Sequence, residues 1–155
     1  VADWRNNRIQ RFSADGEHIA SYMGDGDGGR LNRPAGLAVD EEGCMYVADW
    51  GNDRFVVLDS NGVLLMSSRG EATLSPWAEE FLAANVEEAN ARAEADLAPE
   101  LDYQEDTNEE SSYVEKFLWA PVAVMLGTEG EVYVVDCNRH RLQVFNKNAP
   151  EELRR

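Results

Sequence analysis

The fold is decided by residues 33–58, which read RPAGLAVDEEGCMYVADWGNDRFVVL. Apolar residues alternate here with a period of two, which is typical of β-strands. Turn-forming residues interrupt the alternation, and each interruption contains a Gly or Asn that can supply the positive φ of a hairpin turn. Extended slightly further, the pattern predicts a meander of four strands at residues 37–39, 45–48, 55–58 and 63–66, with turns at 40–43, 50–53 and 59–62.

The central motif of this stretch occurs in three related copies, which begin at Val1, Val47 and Val134. Each copy has an Asp two positions after the Val, an Arg five positions after the Asp, and then an apolar residue. A proline also precedes the second and third Asp by fifteen residues, at Pro34 and Pro121. A register shared over so many positions indicates repeated structural units, and four-stranded units of this size bury their faces by stacking radially as β-propeller blades.

Residues 33–40, 45–49 and 52–58 resemble an NHL repeat, and the resemblance extends over residues 1–69 and about 119–148. It implies an all-β fold of NHL-type β-propeller blades, usually six to a ring, and a recognition scaffold more often than a particular chemistry. The third copy departs from the pattern, because Gly127 replaces the Asp found at Asp40 and Cys137 replaces the Trp of the other two copies.

The repeat boundaries predict five segments. They are a partial first blade with strands two to four (1–30), a complete second blade (31–69), an acidic helical insertion (70–118), a partial third blade (119–148) and a C-terminal tail (149–155). A closed propeller needs at least about four blades. We therefore expect either that this sequence is part of a longer propeller or that several copies of the chain complete one ring as a homo-oligomer.

The insertion between the second and third copies has its own pattern. Ser75 can cap a helix whose first residue is Pro76, and apolar residues at helical spacing predict one helix from about 76 to 97. Residues 71–118 contain fourteen acidic and two basic residues, so they hold −12 of the chain's formal net charge of −16. The acidic run is either a solvated face or a surface on which Trp77, Phe81 and Leu82 cap the propeller or meet a basic partner.

Composition excludes several classes of partner. The net charge of −16 would repel a phosphate backbone, so we expect no nucleic acid partner. No stretch approaches the roughly 20 apolar residues that cross a bilayer, so we expect no membrane insertion. Cys44 and Cys137 fall at heights about 20 Å apart on equivalent strands, which predicts two free thiols. We expect neither a cofactor nor a metal.

The Asp and Arg of each copy flank a short hairpin, and an ion pair can form across it. A catalytic pair would not need to recur in every copy, so this recurrence favours a structural role. The pairs are Asp3 with Arg8, Asp49 with Arg54, and Asp136 with Arg141.

Function is expected where the copies differ, at the hairpin tips. These residues either line a ligand site on the face where loops surround the propeller channel or form ordinary turns. The candidates are Trp4, Arg5, Trp50, Asn52, Asp53, Arg139 and His140. Residues 25–29 resemble the opening of a calcium loop, but an EF-hand would need a carboxylate at Gly36, which favours an inter-blade linker.

No catalytic residue is predicted, because the sequence contains neither a Gly-x-Ser-x-Gly elbow nor a P-loop. The leading hypothesis is a non-enzymatic binding module that recognises a protein or small ligand through loops at one face. The alternative is a metal-dependent hydrolase or lyase of the six-bladed propeller kind. His18, expected in the fourth strand of the first blade, and His140 are the two histidines, which is few ligands for such a site.

Overall fold

A computed structural model describes residues 1–24, 29–100 and 107–147. Residues 25–28 of the predicted linker and the predicted tail 149–155 lie outside the described residues. Three antiparallel sheets and three α-helices account for most of the regular structure described. The prediction of a mainly β fold of antiparallel sheets is therefore confirmed.

Within each sheet, neighbouring strands are consecutive in the chain. The first sheet contains β1 (Ala2–Asp3), β2 (Arg8–Phe12) and β3 (His18–Tyr22). The second contains β4 (Pro34–Val39), β5 (Met45–Asp49), β6 (Arg54–Leu58) and β7 (Leu64–Ser68). The third contains β8 (Pro121–Leu126), β9 (Glu131–Asp136) and β10 (Arg141–Asn146).

Two details of the middle sheet differ from the prediction. β4 begins at Pro34, three residues earlier than expected, because a proline without an N–H group is accepted at the first residue of an edge strand. In the turn at 50–53, the residue with positive φ is neither Gly51 nor Asn52. A short 3₁₀ turn over Trp50–Asn52 ends instead at Asp53, whose φ is 47°.

The sheets pack face to face in chain order, with one apolar layer between each pair. The layer between the first and second sheets contains Ile9, Leu31, Met45, Val47, Val56 and Leu58. The layer between the second and third contains Tyr46, Phe55, Val57, Leu118, Val124, Val132 and Val134. Since the middle sheet is covered on both faces, every residue of β5 is buried.

The second and third sheets approach most closely at Gly36 on β4. A Cβ atom on this residue would lie 2.7 Å from Ala123 Cα and 2.9 Å from the carbonyl oxygen of Val122 on β8. These atoms belong to the backbone and cannot rotate away. The missing side chain at Gly36 therefore sets the spacing of the two sheets.

The prediction of one continuous helix from 76 to 97 is wrong. The chain forms two helices, α1 (Pro76–Ala84) and α2 (Val86–Glu94), with a break at Asn85. Asn85 Nδ2 donates to the carbonyl oxygen of Phe81 at 2.7 Å, and the Asn85 backbone N–H donates instead to Leu82 at 3.2 Å. The side chain thus takes the acceptor that the next helical hydrogen bond would use. A third helix, α3 (Thr107–Tyr113), was not predicted.

Candidate functional site

The hairpins at residues 4–7, 50–53 and 137–140 lie at one end of the sheets, which we name the tip face. In the middle hairpin, Asp49 is fully buried, and its Oδ2 accepts hydrogen bonds from Arg54 Nε and Asn52 Nδ2, both at 2.7 Å. Asp49 Oδ1 accepts from the Asn32 backbone N–H at 2.7 Å. Arg54 Nη2 donates to the carbonyl oxygen of Arg30 at 3.2 Å. The pair therefore joins the hairpin to the segment that enters its sheet.

The third sheet repeats this arrangement. Asp136 is fully buried, and it accepts from Arg141 Nε and from the Trp119 backbone N–H, both at 2.7 Å. Arg141 Nη2 donates to the carbonyl oxygens of Glu115 and Phe117 at 2.7 and 2.8 Å. Since both pairs bind the backbone of the entering segment, their geometry favours the structural reading of the repeated Asp and Arg.

In the first sheet the same pair is more open to water. Arg8 Nε and Asp3 Oδ2 are 2.8 Å apart, with side-chain exposures of 31% and 21%. The hydrogen bond from Arg8 lowers the pKa of Asp3. This copy of the pair is therefore a less buried version of the other two.

A second repeated contact links each hairpin to the next sheet. Asn7 Oδ1 accepts from the Arg33 backbone N–H at 2.8 Å, and Asp53 Oδ1 accepts from the Ala120 backbone N–H at 2.6 Å. Both donors have positive φ, 51° at Arg33 and 57° at Ala120. His140 has the same place in the third repeat, also with positive φ of 51°, and its side chain is exposed.

Helix α3 lies against the 3₁₀ turn at 50–52 of the tip face. Asn108 Nδ2 donates to Asp53 Oδ2 at 3.1 Å. Arg69, just after β7, forms an ion pair with Glu110, and its guanidinium carbon lies 4.4 Å from the ring centroid of Phe117. The acidic segment therefore returns across the tip face of the second sheet.

Arg139 binds the other end of this helix. Its Nη2 donates to the carbonyl oxygens of Ser111, Ser112 and Val114 at 2.9, 3.0 and 3.1 Å, which satisfies acceptors that a helix C-terminus leaves open. Asp53 is fully buried and uses both carboxylate oxygens inside the chain. Asp53 and Arg139 are thus engaged by the protein itself.

The first two hairpins present a cluster of aromatic and cationic side chains, formed by Trp4, Arg33 and Trp50. The indole centroids are 6.3 Å apart with an interplanar angle of 56°. The guanidinium carbon of Arg33 lies 5.7 Å from the Trp4 centroid and 5.6 Å from the Trp50 centroid, within cation–π range. Trp4 is 43% exposed, and Arg33 and Arg5 are also exposed.

The pair of helices α1 and α2, which we name the arm, buries no residue. Trp77 is 82% exposed and Phe81 57%, while Leu82 is half-buried. The ion pair between Arg92 and Glu115, at 2.8 Å, links α2 to the segment leading into the third sheet. Trp77 and Phe81 therefore do not cap the sheets. No described helix is long and apolar enough to cross a membrane.

The opposite end of the second and third sheets carries a groove of about 600 Å³, with Asp40, Glu131 and Lys147 among its lining residues. Asp40 accepts hydrogen bonds from the Cys44 backbone N–H and from Tyr46 Oη, both at 2.9 Å. Burial and this contact with Asp40 raise the pKa of Tyr46. No three His, Cys, Asp or Glu side chains of the described ranges are grouped so that they could hold a metal ion.

Both cysteines are free, as predicted. Burial raises the pKa of Cys44, whereas Cys137 is exposed at the tip face. His18 lies in β3, the strand expected for it, and its Nε2 is 2.9 Å from Ser21 Oγ. His18 and His140 belong to different sheets.

The structure brings together some of the predicted tip residues and separates others. Trp4 and Trp50 are neighbours, whereas Asn52 donates to Asp49 Oδ2 at 2.7 Å and so belongs to the framework of its hairpin. Arg33 was missed by sequence reasoning. A signal was available, because Ala120 has the same position before the proline of the third copy, and a difference between copies marked the other candidates.

The comparisons with known proteins agree with the repeat geometry in one part of the chain. No curated protein matches this sequence. The family model of the NHL repeat matches residues 118–145, which contain the whole of β8 and β9, the ion pair of Asp136 with Arg141, and most of β10. The third sheet of this chain therefore matches the NHL repeat, in keeping with the sequence resemblance.

Proposed function

We propose that this chain is a non-enzymatic interaction module of the NHL β-propeller type, which binds a protein or small ligand through its tip face. NHL repeats are associated with protein interaction, and an NHL repeat is present here. The Asp and Arg pairs and the inter-sheet hydrogen bonds form a framework that holds the hairpins in fixed positions. Binding residues are commonly presented on loops by such a rigid scaffold.

The observation that carries the proposal is the exposure of aromatic side chains on this framework. Trp4 is 43% exposed and Trp50 is half-buried, yet neither belongs to an apolar layer between sheets. Tryptophan is enriched at the energetic centres of protein interfaces, because its large rigid ring buries much surface at little entropic cost. Cys137 at the equivalent position of the third copy indicates that the fold itself does not require tryptophan there.

The arm offers a second contact surface in the same proposal. Trp77 and Phe81 are exposed one helical turn apart, and Glu79 and Glu80 lie between them in the sequence. Such a surface suits a partner that combines an apolar pocket with a basic rim. We place the arm second, because its helices bury no residue and are not held in one orientation by packing.

A selection from a displayed random peptide library would test the proposal. The full chain is the target, and enriched peptides are measured again on a Trp4→Ala, Trp50→Ala double variant and on a Trp77→Ala, Phe81→Ala double variant. We expect a group of peptides whose affinity falls about tenfold or more on the first variant, which is the usual cost of losing aromatic interface residues.

The second double variant tests the arm separately, and peptides that depend on the tip face should keep their affinity for it. Urea unfolding of both variants shows whether their folds are intact. If enriched peptides bind the first variant as well as the native chain, or if no peptide is enriched, the tip face is not the recognition surface.

A further inference from the structure

We propose that Arg33, which lies beside the rings of both Trp4 and Trp50, binds the carboxylate of an Asp or Glu side chain on a protein partner. The inference rests on the proposed function of the tip face and names the chemistry that this face recognises. Arg33 is not among the residues that the sequence pattern singled out.

The repeat contains a second residue at the position of Arg33. Arg33 and Ala120 are equivalent, since each precedes the first proline of its sheet, has a positive φ and donates its N–H to the preceding hairpin. Ala120 performs this backbone role with a methyl group. The fold therefore does not require the guanidinium of Arg33, which is available for a functional role.

The guanidinium of Arg33 contacts two aromatic rings at the surface of the chain. Arg33 is exposed, and its side chain forms neither an ion pair nor a hydrogen bond with any residue that the structure describes. Its guanidinium carbon lies 5.7 Å from the Trp4 centroid and 5.6 Å from the Trp50 centroid. Aromatic rings attract a guanidinium through its faces and leave its N–H edge able to donate. No carboxylate of the described residues pairs with this guanidinium, which distinguishes it from Arg8, Arg54 and Arg141 of the repeated ion pairs.

A carboxylate is the ligand that suits this guanidinium best. A guanidinium can donate two parallel hydrogen bonds to a planar carboxylate, and contact with the two rings restricts its motion before the ligand arrives. Phosphate monoesters and nucleic acids carry more negative charge than one carboxylate. The field of a chain with net charge −16 therefore opposes them more strongly. A single acidic side chain, with apolar atoms beside it to cover the indoles, fits these conditions best.

The experiment uses acetyl-Ala-Glu-Ala-amide as the probe and its Gln counterpart as the neutral control. Binding is followed by NMR through the indole N–H signals of Trp4 and Trp50 in the full chain. We expect the Glu peptide to shift both signals with a Kd in the millimolar range, as is reasonable for one charge-assisted contact, and the Gln peptide to bind about tenfold more weakly.

Three variants complete the test. Arg33→Ala, which reproduces Ala120, should weaken the Glu peptide about tenfold, and Arg33→Lys should weaken it several-fold because an ammonium lacks the planar pair of donors. Arg11→Ala removes the same charge from an exposed position on β2 and should change the affinity less than about twofold, as expected for a distant screened charge.

Equal binding of the Glu and Gln peptides, unchanged binding by Arg33→Ala, or tighter binding of inorganic phosphate than of the Glu peptide would each overturn the inference. The proposed function fails in a different way. If library peptides depend on Trp4 and Trp50 but not on Arg33, the tip face is a recognition surface and the carboxylate assignment is wrong. If no peptide depends on the tryptophans, the function assigned to the tip face is wrong.

Discussion

At the scale of single residues, Asp49 and Asp3 occupy the same position of the repeat but differ in their access to water. The Asp49 side chain is 0% exposed and that of its partner Arg54 is 12% exposed, against 21% for Asp3 and 31% for Arg8. A buried charge that loses its partner costs far more than an exposed one, because water cannot replace the lost contact.

We therefore expect Asp49→Asn to lower the free energy of unfolding by about 3 kcal/mol, since it removes a fully buried carboxylate charge that binds Arg54 Nε and the Asn32 backbone N–H. Urea unfolding at neutral pH measures the loss. Asp3→Asn is the matched control, and its effect should be much smaller. Similar losses in the two variants would mean that burial does not set the importance of these pairs.

A second residue-scale prediction concerns Tyr46. Burial, followed by the hydrogen bond to Asp40, raises the pKa of Tyr46 in the folded chain. Below the unfolded pKa of about 10, the phenol is neutral in both states and its contribution to stability is complete. Above that pH the phenol ionises in the unfolded chain first, so the free energy of unfolding falls as the pH rises.

Tyr46→Phe should remove the part of the loss of stability at alkaline pH that comes from ionisation of the Tyr46 phenol. At neutral pH the variant loses one hydrogen bond, which costs about 1 kcal/mol. Between about pH 9 and pH 11, however, its urea midpoint should fall less steeply than that of the native chain. If the urea midpoints of the variant and the native chain fall in parallel over this pH range, ionisation of Tyr46 does not cause the loss of stability.

At the scale of elements, Asn85 decides whether the arm contains two helices or one. Its side chain occupies the Phe81 carbonyl oxygen that would continue α1. We expect Asn85→Ala to restore that backbone hydrogen bond and to join α1 to α2, because alanine has the highest helix propensity and no competing side-chain donor. Circular dichroism at 222 nm should show a stronger helical signal. Asn90→Ala, inside α2, is the control, and an equal gain from it would point to propensity alone.

The sequence predicted the elements that depend on local signals. Gly43 and Gly62 have positive φ where turns were expected, and the apolar alternation located the strands on each side. The break at Asn85 depends on one side-chain hydrogen bond that competes with the backbone, and hydrophobic periodicity carries no information about it. Helix α3 has no apolar stripe of its own, and it is held by residues distant in sequence, including Arg69 and Arg139.

In the candidate site, too, the sequence predicted what depends on local signals and missed what depends on contacts between distant residues. The repeat register located the hairpin tips, and it also contained the difference between Arg33 and Ala120. It could not reveal that Asp53 and Arg139 bind α3, because those contacts join residues separated by 55 positions and by 25 to 28 positions along the chain. It also could not place Arg33 beside two indoles, since that contact depends on how consecutive sheets stack.

At the scale of the whole molecule, the outer face of the third sheet exposes large apolar side chains among the described residues. In the middle sheet, Phe55 and Val57 are 0% and 8% exposed under the third sheet. The equivalent residues of the third sheet, Leu142 and Val144, are 59% and 58% exposed, and Met125 on the same sheet is 65% exposed. The third sheet therefore exposes the face that, in the second sheet, packs against the next sheet along the chain.

We expect copies of this chain to cover that face in solution, in keeping with a ring completed by self-association. Light scattering coupled to gel filtration should give a particle mass that is a multiple of 17.3 kDa. Leu142→Glu should shift the particle to the monomer, because a carboxylate buried without a partner costs several kcal/mol. Leu65→Glu, on β7 and 58% exposed, is the control and should leave the mass unchanged. A native chain that is monomeric, or a control that dissociates equally, would show that the third sheet does not meet another copy.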